Sequence, residues 1–351
     1  MAAFRQEYEY TGAANIFTAF QQLLSDGRQV GIHAAVTADR PGSVSPAVAA
    51  SIQRRVVLRL ADDNDYAMLD VGTDVLTAAS PPGRAVIDGL VTQIAVLGGT
   101  PNVALQAKAI EGLAETLRYG GRVTAEPIER LTDSVLLSDL GYSAPNRIPL
   151  GIGDDTLKPV GIDPSGVFMI SGPPSSGRTS LLLALLASVA SAAPLSRCVY
   201  FGNARSPLAQ LGNWFRTATT TETSIALARD LLAVVSEPQA AGNSYVIVIE
   251  SMSDYLGTGV DTELIPLIKA ARRNSHFVIA ESETSTWTQS WPLTNELRSG
   301  RRGFALQPDQ HEGDLLFKTT FPRVKRNEFP PGRGWFVEAG RVRKVQTAQA
   351  D

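Results

Sequence analysis

The segment Gly172-Pro173-Pro174-Ser175-Ser176-Gly177-Arg178-Thr179 constrains this 351-residue chain more than any other. The apolar run Val167-Phe168-Met169-Ile170 leads into it, and the Leu- and Ala-rich stretch 180–192, opened by Ser180, leaves it. A short apolar run beside glycine and proline reads as a strand buried on both faces, and a longer stretch without breakers reads as a helix. Strand, glycine turn, helix is half of a βαβ unit, which demands a parallel sheet with helices packed on it. The turn itself fits the pattern G-x-x-x-x-G-K-[ST] except for Arg178 in the Lys position. Its glycines let the backbone wrap a phosphate, the amides opening the helix donate to it, and the Thr179 hydroxyl reaches a magnesium ion. Arg178 keeps the charge but replaces a compact ammonium with a bulkier planar fork.

A second run, Tyr245-Val246-Ile247-Val248-Ile249, ends on Glu250 and Ser251 about 70 residues beyond the turn. This is the form of a strand whose terminal carboxylate holds magnesium, with Glu250 in place of Asp and Ser251 where a second acid would polarise water. Alone, the run is an ordinary core strand with a polar end; downstream of the glycine turn, the functional reading gains the upper hand.

The chain also repeats itself. Gly-Ile-His-Ala-Ala-Val at 31–36, the run at 54–60 and Pro81-Pro82-Gly83-Arg84 parallel Asn-Ser-His-Phe-Val-Ile at 274–279, the run at 301–306 and Pro330-Pro331-Gly332-Arg333. From histidine to the Pro-Pro-Gly-Arg motif is 48 residues in the first copy and 54 in the second. Helical spacing of Ile16, Phe17, Phe20, Leu23 and Leu24 predicts a helix before a strand at 33–36. In the second copy Leu264, Leu267, Ile268 and Ala271 predict a helix before a strand at 277–280. A further helix over 104–118, with the stripe Leu105, Ala109, Leu113 and Leu117, closes the first copy, and 120–163 reads as a linker with the leading hairpin of the second. Strands at 167–170, 198–201 and 245–249 and helices at 180–192 and 225–235 fill the front of the second copy; the first has no such front, so its core should show apolar sheet edges.

Composition narrows the function. Apolar residues make up 44% and charged residues 19%, which supports a packed core rather than disorder. The lone cysteine, Cys198, and three scattered histidines exclude a disulfide framework and a zinc centre. The longest apolar run is shorter than the roughly 20 residues a membrane span needs, and no signal peptide opens the chain, so a cytoplasmic location is expected. The net charge of −3 argues against generic nucleic-acid binding, although 298–344 carries eleven basic residues against five acidic ones. The plainer reading of that stretch is a solvated face balanced by the acidic segment 222–263.

Together, the turn at 172–179, the strand ending on Glu250, the run at 276–280 and Pro330-Pro331-Gly332-Arg333-Gly334 resemble the FtsK/SpoIIIE family of RecA-like motor ATPases. Within it, the tandem repeat is similar to the branch containing the type VII secretion motor. The resemblance implies an α/β, RecA-like P-loop NTPase fold: a mainly parallel sheet with helices on both faces. It implies that residues 1–125 are the back half of one module, without phosphate loop or acidic strand, and 126–351 a complete module. ATP and magnesium are the implied cofactors, held by Gly172, Pro173, Pro174, Ser175, Ser176, Gly177, Arg178, Thr179 and Ser180, with Thr179 and Glu250 toward the metal. The phosphate-binding Lys becomes Arg178, the magnesium Asp becomes Glu250, the catalytic Glu becomes Ser251 and the sensor Gln becomes Ser282. Four such replacements imply nucleotide binding with weak or absent hydrolysis. Arg54, Arg55, Arg301 and Arg302, just ahead of matching strands, are candidate arginine fingers for a neighbouring module; as plain surface charges they would do nothing. Implied partners are other ATPase modules in a ring or tandem array and a moving polymer, either secreted protein or double-stranded DNA, with membrane contact only through sequence upstream. The competing reading is an ATP-independent regulatory or peptide-binding interaction module.

Overall fold

In the computed structural model, residues 1–9, 14–120, 128–142, 144–237, 244–322 and 328–351 are described. They form two compact units, Met1–Pro127 and Ile128–Asp351.

In the second unit the apolar runs become the strands of one large sheet because their side chains, alternating about the pleat, find helices on both faces. The strands are β4 (Ile148–Gly153), β5 (Pro159–Ile162), β6 (Gly166–Ser171), β7 (Arg197–Phe201), β8 (Arg216–Ala218), β9 (Tyr245–Ile249), β10 (Phe277–Ser282), β11 (Gly303–Leu306), β12 (Arg333–Glu338) and β13 (Arg341–Thr347). Their spatial order is β5-β4-β13-β12-β11-β6-β10-β9-β7-β8. From β11 to β8 every pairing is parallel; from β11 to β5 every pairing is antiparallel. Phe168, Ile170, Val246, Val248 and Ile279 face helix α5 (Arg178–Ala192), which brings Leu181, Leu182, Leu185 and Val189. Their neighbours Val167, Met169, Ile247, Val278 and Ala280 face the opposite way, against Leu227 and Leu231 of α6 (Thr221–Val235) and Leu264, Leu267 and Ile268 of α7 (Val260–Arg273). Each such side chain, removed from water, contributes about 1.5–3 kcal/mol before chain entropy is set against it. This is the helix-covered, mainly parallel sheet that the glycine turn and flanking runs imply, and the RecA-like P-loop fold that the family resemblance implies.

The first unit is smaller in every respect. Helices α1 (Ala2–Tyr8) and α2 (Ala14–Asp26) meet through the rings of Phe4, Tyr8, Phe17 and Phe20. Helix α3 (Pro46–Ser51) is capped by the Ser45 hydroxyl, which accepts from the Val48 amide. Strands β1 (Val56–Leu58), β2 (Arg84–Ile87) and β3 (Leu90–Gln93) form an antiparallel sheet whose core is Val57, Tyr66, Val71, Leu76 and Val86. Helix α4 (Val103–Tyr119) starts at Asn102, whose side chain accepts from the amides of Ala104 and Leu105.

The repeat is visible in the strand register. Val56 faces Ile87 and Leu58 faces Ala85, as Phe304 faces Phe336 and Leu306 faces Gly334. Arg84 and Arg333 each donate their amide to the first proline of the motif at 3.0 Å. Gly83 (φ 81°) and Gly332 (φ 79°) each accept the amide closing the hairpin, from Ile94 at 2.8 Å and Thr347 at 2.9 Å. Both hairpins turn on two left-handed residues, Asp88-Gly89 and Ala339-Gly340, the geometry that matches strand twist.

Two sequence expectations for the first unit fail. Residues 33–36 form no strand and stand largely exposed. A parallel strand is held by its neighbours, and its counterpart β10 has β6 and β9 on either side; no such pair is found among the described residues of the first unit. Helix α4 forms, but Leu105, Leu113 and Leu117 of its expected stripe are exposed, with only Ala109 half-buried, because no further layer covers them among the described residues. The leading hairpin of the second unit is β4 with β5.

Candidate functional site

The loop between β6 and α5 lies at the carboxyl ends of the parallel strands. There the chain leaves β6 toward β7 on one side and later returns to β11 on the other, the place where such sheets bind ligands. Gly172 is required sterically: a β-carbon there would meet the Ser176 hydroxyl at 2.5 Å and Leu306 at 2.9 Å. Ser175 (φ 62°) and Gly177 (φ 103°) take left-handed backbone, as turns that gather successive amides around an anion do. The first helical amides have no partner within the helix, so an anion is their natural acceptor. Pro174, Ser175, Thr179 and Ser180 are exposed, Pro173 half-buried, and the Ser176 hydroxyl is buried without a partner. The Pro-Pro-Gly-Arg motif clasps this loop. The Gly332 amide donates to the Ser176 carbonyl at 2.8 Å, and a β-carbon on Gly177 would lie 3.0 Å from the Gly332 nitrogen.

The acidic strand sits two places away, across β10. Glu250 is buried, and both its oxygens are taken by hydroxyls: Tyr200 donates to one and Ser206 to the other, the latter at 2.9 Å. Tyr200 folds back over Gly202, where any side chain would strike its hydroxyl. Burial, then the hydrogen bond to Glu250, pushes the Tyr200 phenol far above its ordinary range, so it stays a donor. Such outer partners fix the orientation of a carboxylate that holds a metal or its water. Ser251 adopts left-handed backbone (φ 50°).

Glu281 is the residue the sequence reading passed over. Its carboxylate pairs with Arg178 at 2.5 Å and accepts the Ser251 amide at 3.0 Å, joining the loop to the end of the acidic strand. Glu283 adds a longer contact to Arg178, 3.7 Å. Burial raises the Glu281 carboxyl, while the Arg178 guanidinium pulls it back. Ser282, assigned the sensor place by sequence resemblance, is buried with an unpartnered hydroxyl. Strand alternation was the available signal: Glu281 shares the α5 face with Phe277 and Ile279, whereas Ser282 follows Val278 and Ala280 to the other. On that other face Glu312, also unforeseen, is buried and accepts from Ser171 and Thr284 at 3.3 Å and from the Asp309 amide at 2.9 Å.

The four candidate arginines divide. By strand register Arg54 matches Arg302, not Arg301. Arg302 is inside its own unit: it pairs with Glu338 at 3.0 Å, donates to the carbonyls of Ser165 and Asp163, and lies over the Phe168 ring. Arg54 and Arg55 are exposed, as is Arg301, which has φ 47°. Much of the basic stretch is neutralised locally, Arg333 by Asp133, Arg343 by Asp155, and Lys344 by Asp154 and Glu328. Among the described residues no cluster of His, Cys, Asp or Glu suits a metal held by protein alone, and no helix is long and apolar enough to cross a membrane.

The fold is therefore a RecA-like P-loop fold. No protein-family model and no curated protein sequence matches the chain. Solved structures do. ATPases 2 and 3 of EccC from Thermomonospora curvata, in complex with a signal sequence peptide, superpose with a TM-score of 0.70 at 21% identity, over 99% of this chain and 66% of that one. The cytoplasmic domain of the type VII secretion ATPase EccC of the same organism gives 0.70 at 20% identity, over 100% of this chain and 43% of the other. ATPases 2 and 3 of EssC from Geobacillus thermodenitrificans give 0.64 at 20%, over 98% and 70%. At these identities the likeness is one of fold, and the chain spans only part of the EccC chains it matches.

Proposed function

We propose that the second unit is a nucleotide-binding module of a type VII secretion-like translocase motor. Residues 1–127 are read as the back half of a preceding module in the same tandem array. The carrying observation is the loop itself: left-handed Ser175 and Gly177, helical amides without a partner in the helix and the Gly332 amide holding the Ser176 carbonyl give the form of a phosphate-binding turn. In this reading the amides of residues 175–179 hold the phosphates of ATP with Arg178 beside them. Thr179 and Glu250 are the residues that would hold magnesium, which when bound would screen the phosphate charge. Glu250, kept in place by Tyr200 and Ser206, would accept a hydrogen bond from a water on that ion. Ser251 has no carboxylate with which to take a proton from an attacking water, so hydrolysis is slow and the module senses nucleotide more than it turns it over.

The cargo in this reading is protein. A signal sequence peptide is bound by the EccC structure with the same fold, and local ion pairs already neutralise much of the basic stretch that DNA would need. Titration of the chain with ATP–Mg by calorimetry tests the core of the proposal. Binding is expected, weakened about tenfold by Thr179→Ala and lost in Gly177→Val, whose side chain fits neither the φ nor the clasp. Equal affinity in the three proteins refutes it, and no binding to any of them favours the nucleotide-independent interaction module.

A further inference from the structure

We propose that Glu281 is an internal competitor for the phosphate site: its carboxylate holds Arg178 in a closed ion pair that an arriving nucleotide has to open. The inference rests on the nucleotide-binding reading and names the residue that sets its affinity. Three observations support it. Arg178 is the first residue of α5 and the cation of the loop, yet its guanidinium lies 2.5 Å from Glu281, with side-chain exposures of 18% and 6%. Glu281 is held in that position from behind by the Ser251 amide, so it does not swing aside with a surface side chain's freedom. Glu283 stands 3.7 Å from the same guanidinium, so the single cation faces two carboxylates.

A partly buried pair is screened little by solvent, and a guanidinium whose donors already face a carboxylate has fewer to offer a phosphate. A triphosphate entering the loop meets a neutralised arginine and the repulsion of a fixed carboxylate. Apparent affinity is then the intrinsic affinity multiplied by the fraction of molecules in which the pair is open. Glu281 acts through Arg178 and is a positioning residue. Its signature is the sign of the effect: a residue that only supports the fold loses ligand affinity when altered, whereas a competitor gains it.

The test compares the wild-type chain with Glu281→Gln, which keeps the size and the acceptor for Ser251 but removes the charge. The probes are ATP–Mg and inorganic tripolyphosphate, the second of which reports on the phosphates alone. At least a tenfold gain in affinity for both probes is expected in Glu281→Gln, with a gain that shrinks as salt is raised. Glu281→Asp, which keeps the charge but draws it back by one methylene, is expected to gain less, about threefold, and serves as the deciding variant if Glu281→Gln does not fold. Wild-type binding with no gain in either variant overturns the role of Glu281 while leaving the nucleotide site intact. No binding of either probe to any of the proteins overturns both.

Discussion

The same antiparallel ribbon occurs twice in this chain, once supported and once bare. In the second unit β11, β12 and β13 are flanked by β6 and β4, and the glycine of the Pro-Pro-Gly-Arg turn is bonded to the phosphate loop. In the first unit β1, β2 and β3 keep the same register and the same turns, with no strand beyond β1 or β3 among the described residues. The ion pair at the hairpin shows the difference most sharply. Arg302 and Glu338 approach to 3.0 Å with the arginine 13% exposed, whereas Arg54 and Asp88 stand 4.0 Å apart with the arginine 84% exposed. Sequence alone sets the ribbon; its surroundings decide whether a motif residue becomes structural, functional or neither.

That contrast can be broken by experiment. The largest expected effect is Arg302→Ala, which leaves Glu338 with Arg147 alone and strips two backbone carbonyls of their donor; a loss of about 3 kcal/mol is expected in denaturant unfolding. A loss below about 1 kcal/mol would mean the partly buried pair is no more than a surface contact. Next comes Gly332→Val. Left-handed backbone in a β-branched residue costs about 1–3 kcal/mol, and loss of the clasp removes ATP binding as well. Gly83→Val in the first unit is expected to cost the backbone term alone, with nucleotide affinity unchanged by calorimetry.

Combining Arg178→Lys, Glu250→Asp and Ser251→Glu in the second unit is expected to raise phosphate release at least tenfold, since a positioned base commonly contributes about 10²–10⁴-fold. An unchanged rate in a folded triple variant would place the deficit outside these residues, in a contact between modules. Arg54→Ala is the smallest: a stability change within about 0.5 kcal/mol is expected. If Arg54 serves a neighbouring module's site, the loss will appear only in that module's turnover in the full assembly.

Most of the second unit was legible because its strands are buried on both faces and read as unbroken apolar runs. β6, β7, β9 and β10 lie where those runs are, and α5 begins two residues earlier than the expected 180. β8, three residues long, carries no such run and escaped notice. The loop was legible because glycine spacing records backbone geometry directly. What the sequence hid was orientation: Tyr200 reaching back to Glu250, and Glu281 rather than Ser282 meeting Arg178, depend on which face of a strand each side chain takes. In the first unit the run at 33–36 misled because strand formation there depends on partners, not on its own residues.

The position of β13 has a consequence for how the chain comes into being. It is inserted between β12 and β4, so Val345 meets Gly153 about 190 residues earlier in the chain, and Leu137 and Gln349 close the seam with a 2.9 Å bond. Contacts so distant in sequence form late, and during synthesis the strand that joins the two parts of the sheet emerges after both of them. Until it does, β12 and the β4–β5 hairpin each present an unpaired edge to any other nascent chain. A chain ending before Arg341 would keep its phosphate loop and its parallel core, and would aggregate through those edges.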